Sequence, residues 1–380
     1  MSGAALNRYT QVPNSAGAGG SAINAWGAFV VDEDLNVYAP ANGGHGDSFD
    51  NRVSKIALGV DTPTGWTVVN AASLNVPAPG GTLAADAAYY YDDAGGTTNP
   101  KPGSRHVYNC VFYDQTTRKI YLVGYQGTYP NGGSWNTIDA YDVDTNTWGA
   151  PGSNIFTGPT ASAVYGGSTE GLSIFWAAPA IRKLFWTLGA DVWKWTPGDA
   201  SKTNLGAYAG SAWVVGGRYP SAYDSSRDAI YNLVLNNGQG GASTDTLTST
   251  RISAPDGTPS KTNITLNASA ALTQLKNDQP AYAAMDYDRL RDKFVFFAGG
   301  TFSSGGAVVS SDPMRIYDIT PNSGSTWDVA LATVASGGAT PGALASGGIN
   351  KRWTYIERGG IGGFLLLMNS SDSLYFFRTT

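Results

Sequence analysis

Three stretches of this chain share one arrangement: a short apolar strand ending in aspartate, a tight turn, and a second apolar strand that starts six residues after the aspartate. They are Val111-Phe-Tyr-Asp114 with Ile120-Tyr-Leu-Val123, Ser221-Ala-Tyr-Asp224 with Ile230-Tyr-Asn-Leu233, and Met285-Asp-Tyr-Asp288 with Phe294-Val-Phe-Phe297. Three looser copies extend the series. Phe29-Val-Val-Asp32 leads to Val37-Tyr38 one residue sooner, Ile174-Phe-Trp-Ala-Ala178 leads to Leu184-Phe-Trp186 without the aspartate, and Trp353-Thr-Tyr-Ile-Glu357 leads to Phe364-Leu-Leu-Leu367 one residue later. The turn positions 32, 114, 178, 224, 288 and 357 lie 46 to 82 residues apart, room for one four-stranded sheet and its loops per unit. A second hairpin fits that size in several units: Ile138-Asp-Ala-Tyr-Asp142 before Trp148, Met314-Arg-Ile-Tyr-Asp318 before Trp327, and Val53-Ser-Lys-Ile56 before Trp66.

A lone sheet of this size cannot bury both faces, so tandem copies must stack, and radial stacking about an axis shields the edges. The expectation is an all-β chain, a single domain over residues 1–380, built as a six-bladed β-propeller with four-stranded antiparallel blades. An open solenoid is the competing architecture, but its repeats are usually shorter and more regular. Composition agrees. With 49 Gly, 19 Pro, 14% charged residues and only three glutamates (Glu33, Glu170, Glu357), the chain suits short strands and turns rather than long helices. The sixth unit stops after its third strand, Ser373-Leu-Tyr-Phe-Phe-Arg378, while a stray strand-like segment, Asn7-Arg-Tyr-Thr-Gln-Val12, precedes the first. Residues 7–12 are therefore predicted to form the outer strand of the last blade, fastening the ring by backbone hydrogen bonds.

The net charge is -5 and the basic residues are scattered singly, so no stripe exists to neutralise a phosphate backbone and nucleic acid is not expected as a partner. One cysteine, Cys110, and two histidines, His45 and His106, exclude an internal disulfide and a Cys/His zinc cage by count; no metal or other cofactor is expected. The first residues lack the basic and apolar regions of a secretory signal, and the longest apolar stretch, Phe364 to Met368, is too short to span a bilayer. No membrane insertion is expected. Synthesis in a host cytoplasm without a signal peptide, followed by release on lysis, fits a virion protein.

The Gly43-Gly44 and Gly299-Gly300 pairs after second strands, the partial copy at Gly124, and Tyr141-Asp142-Val-Asp-Thr-Asn-Thr147-Trp148 resemble kelch repeats of the galactose-oxidase type. The resemblance covers residues 7–380. Asn42-Gly-Gly-His-Gly-Asp47 is also similar to segments of propellers in bacterial and bacteriophage proteins. The copper radical oxidases of this fold need Tyr, His and a tyrosine-linked Cys around the metal. Two histidines and a strand-borne Cys110 meet that poorly, and Cys110 reads as a small core residue.

Propellers place binding loops at one end of the channel, and the loops of unusual content here are the insertions 70–105 and 236–262, the 124–136 loop and the smaller 298–312. Tyr89, Tyr90 and Tyr91 precede Asp92-Asp93 in the first, and Tyr125, Tyr129 and Trp135 sit amid Gly and Asn in 124–136. Such loops suit sugar binding, since a pyranose face stacks on an aromatic ring and Asp or Asn accepts its hydroxyls. The plainer alternative makes Tyr89 to Tyr91 a strand or a loop anchor. His45 and Asp47 are further ligand candidates, although in a glycine-rich turn they more simply bond neighbouring backbone. Asp142-Val-Asp144-Thr-Asn146 lacks the Gly and Glu of a calcium loop and reads as a hairpin turn, as does Asp32-Glu-Asp34; Thr320 to Trp327 is a turn akin to a degenerate Asp-box.

Glycoside hydrolysis wants two carboxylates in split environments. No glutamate lies in a site-like loop, an Asp92/Asp93 pair stays open, and no catalytic residue is assigned. The functional expectation is a non-enzymatic recognition module, a bacteriophage tail-fibre or tail-tip component that binds a host surface glycan and contacts other virion proteins, with avidity from several copies per particle. The alternatives are a polysaccharide-degrading or oxidising propeller enzyme and a purely structural virion protein.

Overall fold

The computed structural model describes residues 3–17, 27–40, 51–60, 62–72, 90–91, 101–103, 110–123, 138–149, 174–177, 183–188, 191–207, 220–233, 264–278, 283–298, 301–302, 308–310, 315–342, 349, 351–369 and 371–380.

In four of the repeats the first hairpin is organised by a buried carboxylate. Asp32, Asp114, Asp224 and Asp288 are at most 4% exposed. Each accepts N–H groups from its own turn: Asp34 and Asn36, Thr116 and Thr117, Ser226 and Arg227, Leu290 and Arg291, respectively. The residue four beyond the aspartate is left-handed at Arg118 (φ 50), Asp228 (φ 47) and Asp292 (φ 53). The first copy, one residue shorter, puts that conformation at Leu35 (φ 60). A turn followed by one left-handed residue reverses the chain into an antiparallel partner, and the left-handed step costs a non-glycine residue about 1–2 kcal/mol. The carboxylate offsets that strain by satisfying N–H groups that the turn leaves without a ladder partner. The second hairpin of the second unit repeats the design: Asp142 accepts the N–H of Asp144 and Thr145, and Asn146 is left-handed (φ 56). This segment is a hairpin turn, as expected.

These hairpins build small, mostly antiparallel sheets in a propeller arrangement. The first sheet runs Val30–Val31, Asn36–Pro40, Val53–Ala57, Thr67–Asn70, and the second Val111–Asp114, Lys119–Val123, Ile138–Asp142, Thr147–Trp148. A third follows with Ile174–Ala177, Lys183–Leu188, Asp191–Trp195 and Thr203–Ala207. The fourth repeat is described only as the ladder of Ser221–Asp224 with Ala229–Asn232. The next sheet has five strands: Ala284–Asp288, Lys293–Phe297, Ile316–Thr320 and Thr326–Leu331, with Thr265–Leu266 added in parallel on the last. The final sheet runs Trp353–Arg358, Ile361–Leu367, Leu374–Arg378 and then Tyr9–Gln11. Where the sequence predicts six four-stranded sheets, the described residues thus form four of that size. Two short ladders, Tyr90–Tyr91 with Lys101–Pro102 and Thr301–Phe302 with Val308–Ser310, fall in segments read from sequence as loops.

First strands of successive sheets pack side by side, Ser221–Asp224 against Ala284–Asp288 and the latter against Trp353–Arg358. Aromatic rings fill the space between sheets. Trp353 stacks on Phe364 at 4.5 Å and donates its indole N–H to the Val295 carbonyl of the preceding sheet. Phe294 stacks on Trp327 at 5.6 Å, and Tyr231 of the fourth repeat meets Trp327 at 4.7 Å. A helix among the described residues, α1 (Ala270–Asn277), was not legible in the sequence. Ser269 caps it by accepting the Leu272 N–H, and at its far end Asp278 accepts the Tyr317 hydroxyl at 2.5 Å and the Gln274 amide at 2.9 Å. The helix lies against Thr326–Leu331. Among the described residues no helix is long and apolar enough to cross a membrane.

The N-terminal segment completes the last sheet as predicted. Tyr9, Thr10 and Gln11 pair with Phe377, Phe376 and Tyr375, and the N–H groups of Asn7 and Val12 donate to the carbonyls of Arg378 and Leu374, both at 2.8 Å. Tyr9 is buried against Tyr375 and Phe377. The outer edge of this strand is covered too: Ala335 N–H donates to Asn7 O at 2.7 Å and Ala339 N–H to Tyr9 O at 2.8 Å. Gly338 permits that approach, because a Cβ there would sit 2.9 Å from the Tyr9 carbonyl oxygen.

Deleting residues 1–13 is expected to lower Tm by about 5 °C or more, since burial of Tyr9 and Val12 alone is of the order of 3 kcal/mol; unchanged melting would contradict the closure. Asp288 also accepts the Arg291 guanidinium at 2.6 Å and the Thr379 hydroxyl at 2.7 Å. Asp288→Ala should therefore cost about 2–4 kcal/mol in urea titration, whereas Glu357→Gln, at a more exposed ion pair, should stay within about 1 kcal/mol.

Candidate functional site

The end of the sheets that carries the aspartate turns is tied from sheet to sheet. Arg118 pairs with Glu33 of the first unit's turn and with Asp144 at 2.9 Å. Arg227 makes a two-pronged pair with Asp292 at 2.6 and 2.7 Å, and Arg289 reaches Glu357 at 2.5 Å. Arg227 holds the Asp292 carboxyl below the usual carboxylate range, with the Tyr287 hydroxyl adding to the effect. Exposed pairs of this kind each add little stability. They do occupy the turn side chains in contacts between neighbours.

Antiparallel alternation fixes where the remaining connections start. Links between second and third strands, and links from one sheet to the next, leave from the end opposite the aspartate turns. The segments that carry the sequence-selected residues are all of these two kinds. His45, Asp47, Tyr89, Tyr125, Tyr129 and Trp135 themselves lie outside the described residues, as do 124–136 and 236–262. Tyr90 and Tyr91 form a two-residue strand in register with Pro102 and Lys101. The return of this insertion is anchored by Lys101, whose Nζ donates to Ala71 O at 2.8 Å, and by Asn51, whose amide donates to Pro102 O at 3.1 Å.

The described residues hold one polar cluster that sequence reasoning missed. A first strand has a neighbour within its own sheet on one side only, so part of its backbone lacks a ladder partner and must be satisfied otherwise. Asp286, on the first strand of the five-stranded sheet, accepts the N–H of Tyr355 in the next sheet at 2.8 Å. Lys351, just before that sheet's first strand, donates from Nζ to the carbonyl of Val111 at 2.7 Å. Val111 belongs to the second sheet, so the lysine ties the entry of the last sheet to the first strand of a sheet that is not its neighbour along the chain.

Asp286 and Lys351 are partly exposed as whole residues, but their ionisable ends are enclosed by the surrounding strands. Burial pushes the Asp286 carboxyl up, against the N–H groups of Tyr355 and Tyr287 and the cations Lys351 and Arg289. Burial pulls the Lys351 amine down to about 8, against Asp286 and the Cys110 thiol. Cys110 is 1% exposed, a core position as expected, and its thiol acts electrostatically on the Lys351 amine. Next to Lys351, the buried Arg352 donates to the carbonyls of Met368 at 3.0 Å and Ile349 at 3.3 Å, and burial lowers it to about 10. The two groups act on each other electrostatically, so each offsets part of the shift that burial imposes on the other. The signal available in the sequence was Asp286 breaking the apolar run between Met285 and Tyr287. Among the described residues no group of three or more His, Cys, Asp or Glu is placed to hold a metal ion.

The Lys351 shift has a defined sign. Its folded pKa is about 8 against 10.5 unfolded, so the unfolded chain binds more protons in that window and stability gains as pH rises from about 8 to 10.5. Tyrosines oppose this, because burial raises Tyr355 and Tyr113 above the unfolded value. The gain is therefore read as a difference: relative to Lys351→Met, the wild-type urea midpoint should rise across pH 8 to 10.5, and parallel curves would refute the assignment.

No protein-family model matches the chain, and no curated protein matches it. Among solved structures it is similar to a Trichoderma reesei carbohydrate-active enzyme of family AA12, at 10% identity over 97% of this chain and 95% of that one, with a TM-score of 0.43. A putative 6-phosphogluconolactonase from Bacteroides uniformis matches at 14% identity over 93% and 86% of the two chains, TM-score 0.41. A mitotic checkpoint complex structure matches at 10% identity over 98% and 91%, TM-score 0.39. At these identities and TM-scores the likenesses carry no argument about activity.

Proposed function

We propose that the chain is a six-bladed, kelch-like propeller acting as a non-enzymatic recognition module, and that its ligand is a glycan on a host cell surface. A bacteriophage tail fibre or tail tip is the setting that best fits a Gly-, Asn- and aromatic-rich chain of this kind, with other virion proteins as structural partners. The observation that carries the reading is topological. The aspartate-turn end is engaged in ion pairs between sheets, while every connection bearing Tyr89, Tyr90, Tyr91, Tyr125, Tyr129, Trp135, His45 or Asp47 leaves from the opposite end. Aromatic faces with Asn and Asp among them suit pyranose stacking, and several copies per particle would multiply weak single contacts.

A glycan-array screen of the purified protein, with a reducing-sugar assay on each hit, tests this reading. Binding without released product is the expected result. Tyr129→Ala combined with Trp135→Ala should weaken binding by about tenfold or more, the loss of one strong aromatic contact, with melting unchanged. Released product would replace adhesion with a degrading or oxidising enzyme, and silence across the array would favour a purely structural virion protein.

A further inference from the structure

We propose that the seam of the ring is a gated strand-binding slot: a strap over residues 332–342 opens at Asp372, residues 7–12 come free with it, and the vacated slot takes the same strand from a second copy of the chain. This inference does not depend on the loop-borne glycan reading. It rests on how unequally the elements of the seam are held. Leu374–Arg378 pairs with Ile361–Leu367 over five positions, and Leu365, Leu366 and Leu374 are fully buried. The N-terminal strand pairs over three. On its outer side the strap supplies the Ala335 and Ala339 N–H groups, and of residues 333–340 just these two alanines are even half-buried. A segment that buries so little apolar surface belongs to the low-stability end of a structure and opens before the core does.

The clasp is one carboxylate. Asp372, in the turn before the last strand, accepts the Gly342 N–H at 2.7 Å and the Tyr375 hydroxyl at 2.9 Å. Tyr375 in turn packs edge-on against Tyr9, with centroids 6.5 Å apart, so one acid is linked to the end of the strap, to the last strand and to the strand that leaves. Gly342 is exposed and Asp372 partly so, which lets the clasp open without disturbing the core. Tyr9 adds a bias toward release: its hydroxyl is buried with no hydrogen-bond partner among the described residues, a cost that the strand sheds on leaving.

The occupant follows from what the slot recognises. It offers the carbonyls of Arg378 and Leu374 to the N–H groups of an incoming strand, aromatic rings at Tyr375 and Phe377 to a ring, and the Ser373 hydroxyl, which accepts the Gln11 amide at 2.7 Å. Residues 7–12 meet all of these, and a second copy carries the same residues. Exchange of an identical strand reproduces the contacts of the closed form and is a low-cost route to a dimer.

The test uses the full-length protein: hydrogen exchange followed residue by residue, and capture of a fluorescein-labelled synthetic peptide of residues 4–15. The Asn7, Val12, Ala335 and Ala339 amides should open together, ahead of those of Ile361–Leu367. Asp372→Ala should speed opening of all four, and peptide capture, by about tenfold or more, the effect of losing one hydrogen-bonded acceptor, with Ile361–Leu367 unchanged. The same variant should form dimers on size exclusion when concentrated. Tyr9→Phe should slow opening, and a peptide carrying Tyr9→Ala should not be captured. Acceleration of Ala335 and Ala339 alone, opening of all four only together with Ile361–Leu367, absence of peptide capture, or a variant that stays monomeric would each overturn the proposal. Should Asp372→Ala unfold the chain, the wild type in urea below its midpoint decides: capture that rises before the Ile361–Leu367 amides accelerate supports the slot, and capture that begins only with global unfolding contradicts it.

Discussion

A carboxylate buried at the first turn of a hairpin is the contact on which this architecture depends. Each hairpin must reverse within a few residues, through a left-handed position filled by Arg118, Asp228, Asp292 or Leu35 rather than by glycine. Without an acceptor for the turn's N–H groups, that strain and the unpaired amides would stand uncompensated. The aspartates at 32, 114, 224 and 288 supply it from positions that water scarcely reaches. The same carboxylates extend the effect outward, since Asp224 and Asp288 hold the arginines at 227 and 291. Arg227 then pairs with the next unit's Asp292. Local turn chemistry and contact between neighbouring sheets are thus one network.

Repeats with such turns were legible because the turn residues and the flanking apolar strands recur at fixed spacing. The one-residue shortening at Asp32 and the lengthening at Glu357 were also readable, and the former appears as a left-handed residue one position earlier. The closure was legible for a different reason: a unit one strand short at one end of the chain and a surplus strand at the other imply each other. What escaped was structure without a repeat to announce it. Thr265–Leu266 joins its neighbour in parallel, a pairing set by distant residues rather than by a local turn. Helix α1 rests on Ser269 and on the docking of Asp278 to Tyr317, contacts that only the folded sheet creates.

The candidate site divides in the same way. Loop aromatics stand out in a sequence because exposed-type segments seldom concentrate Tyr and Trp. Lys351 and Asp286 do not stand out, because their significance lies in the pairing of Lys351 with Val111 and of Asp286 with Tyr355, across 240 and 69 positions of the chain. First strands need partners for backbone groups outside their own ladders, and Asp286 and Lys351 supply two of them from distant parts of the chain.

The pairing of residues 9–11 with residues 375–377 has a consequence for how the molecule is made. A ribosome adding about 5–20 residues per second needs roughly 20–70 s to travel from one partner to the other. Throughout that interval the nascent amino-terminal strand has no mate, while Ala335 and Ala339, which guard its far side, are themselves late arrivals. The last sheet is therefore assembled only once residues 375–377 have been made, and until then a chaperone, or another molecule offering a free strand edge, has its opportunity to engage residues 9–11.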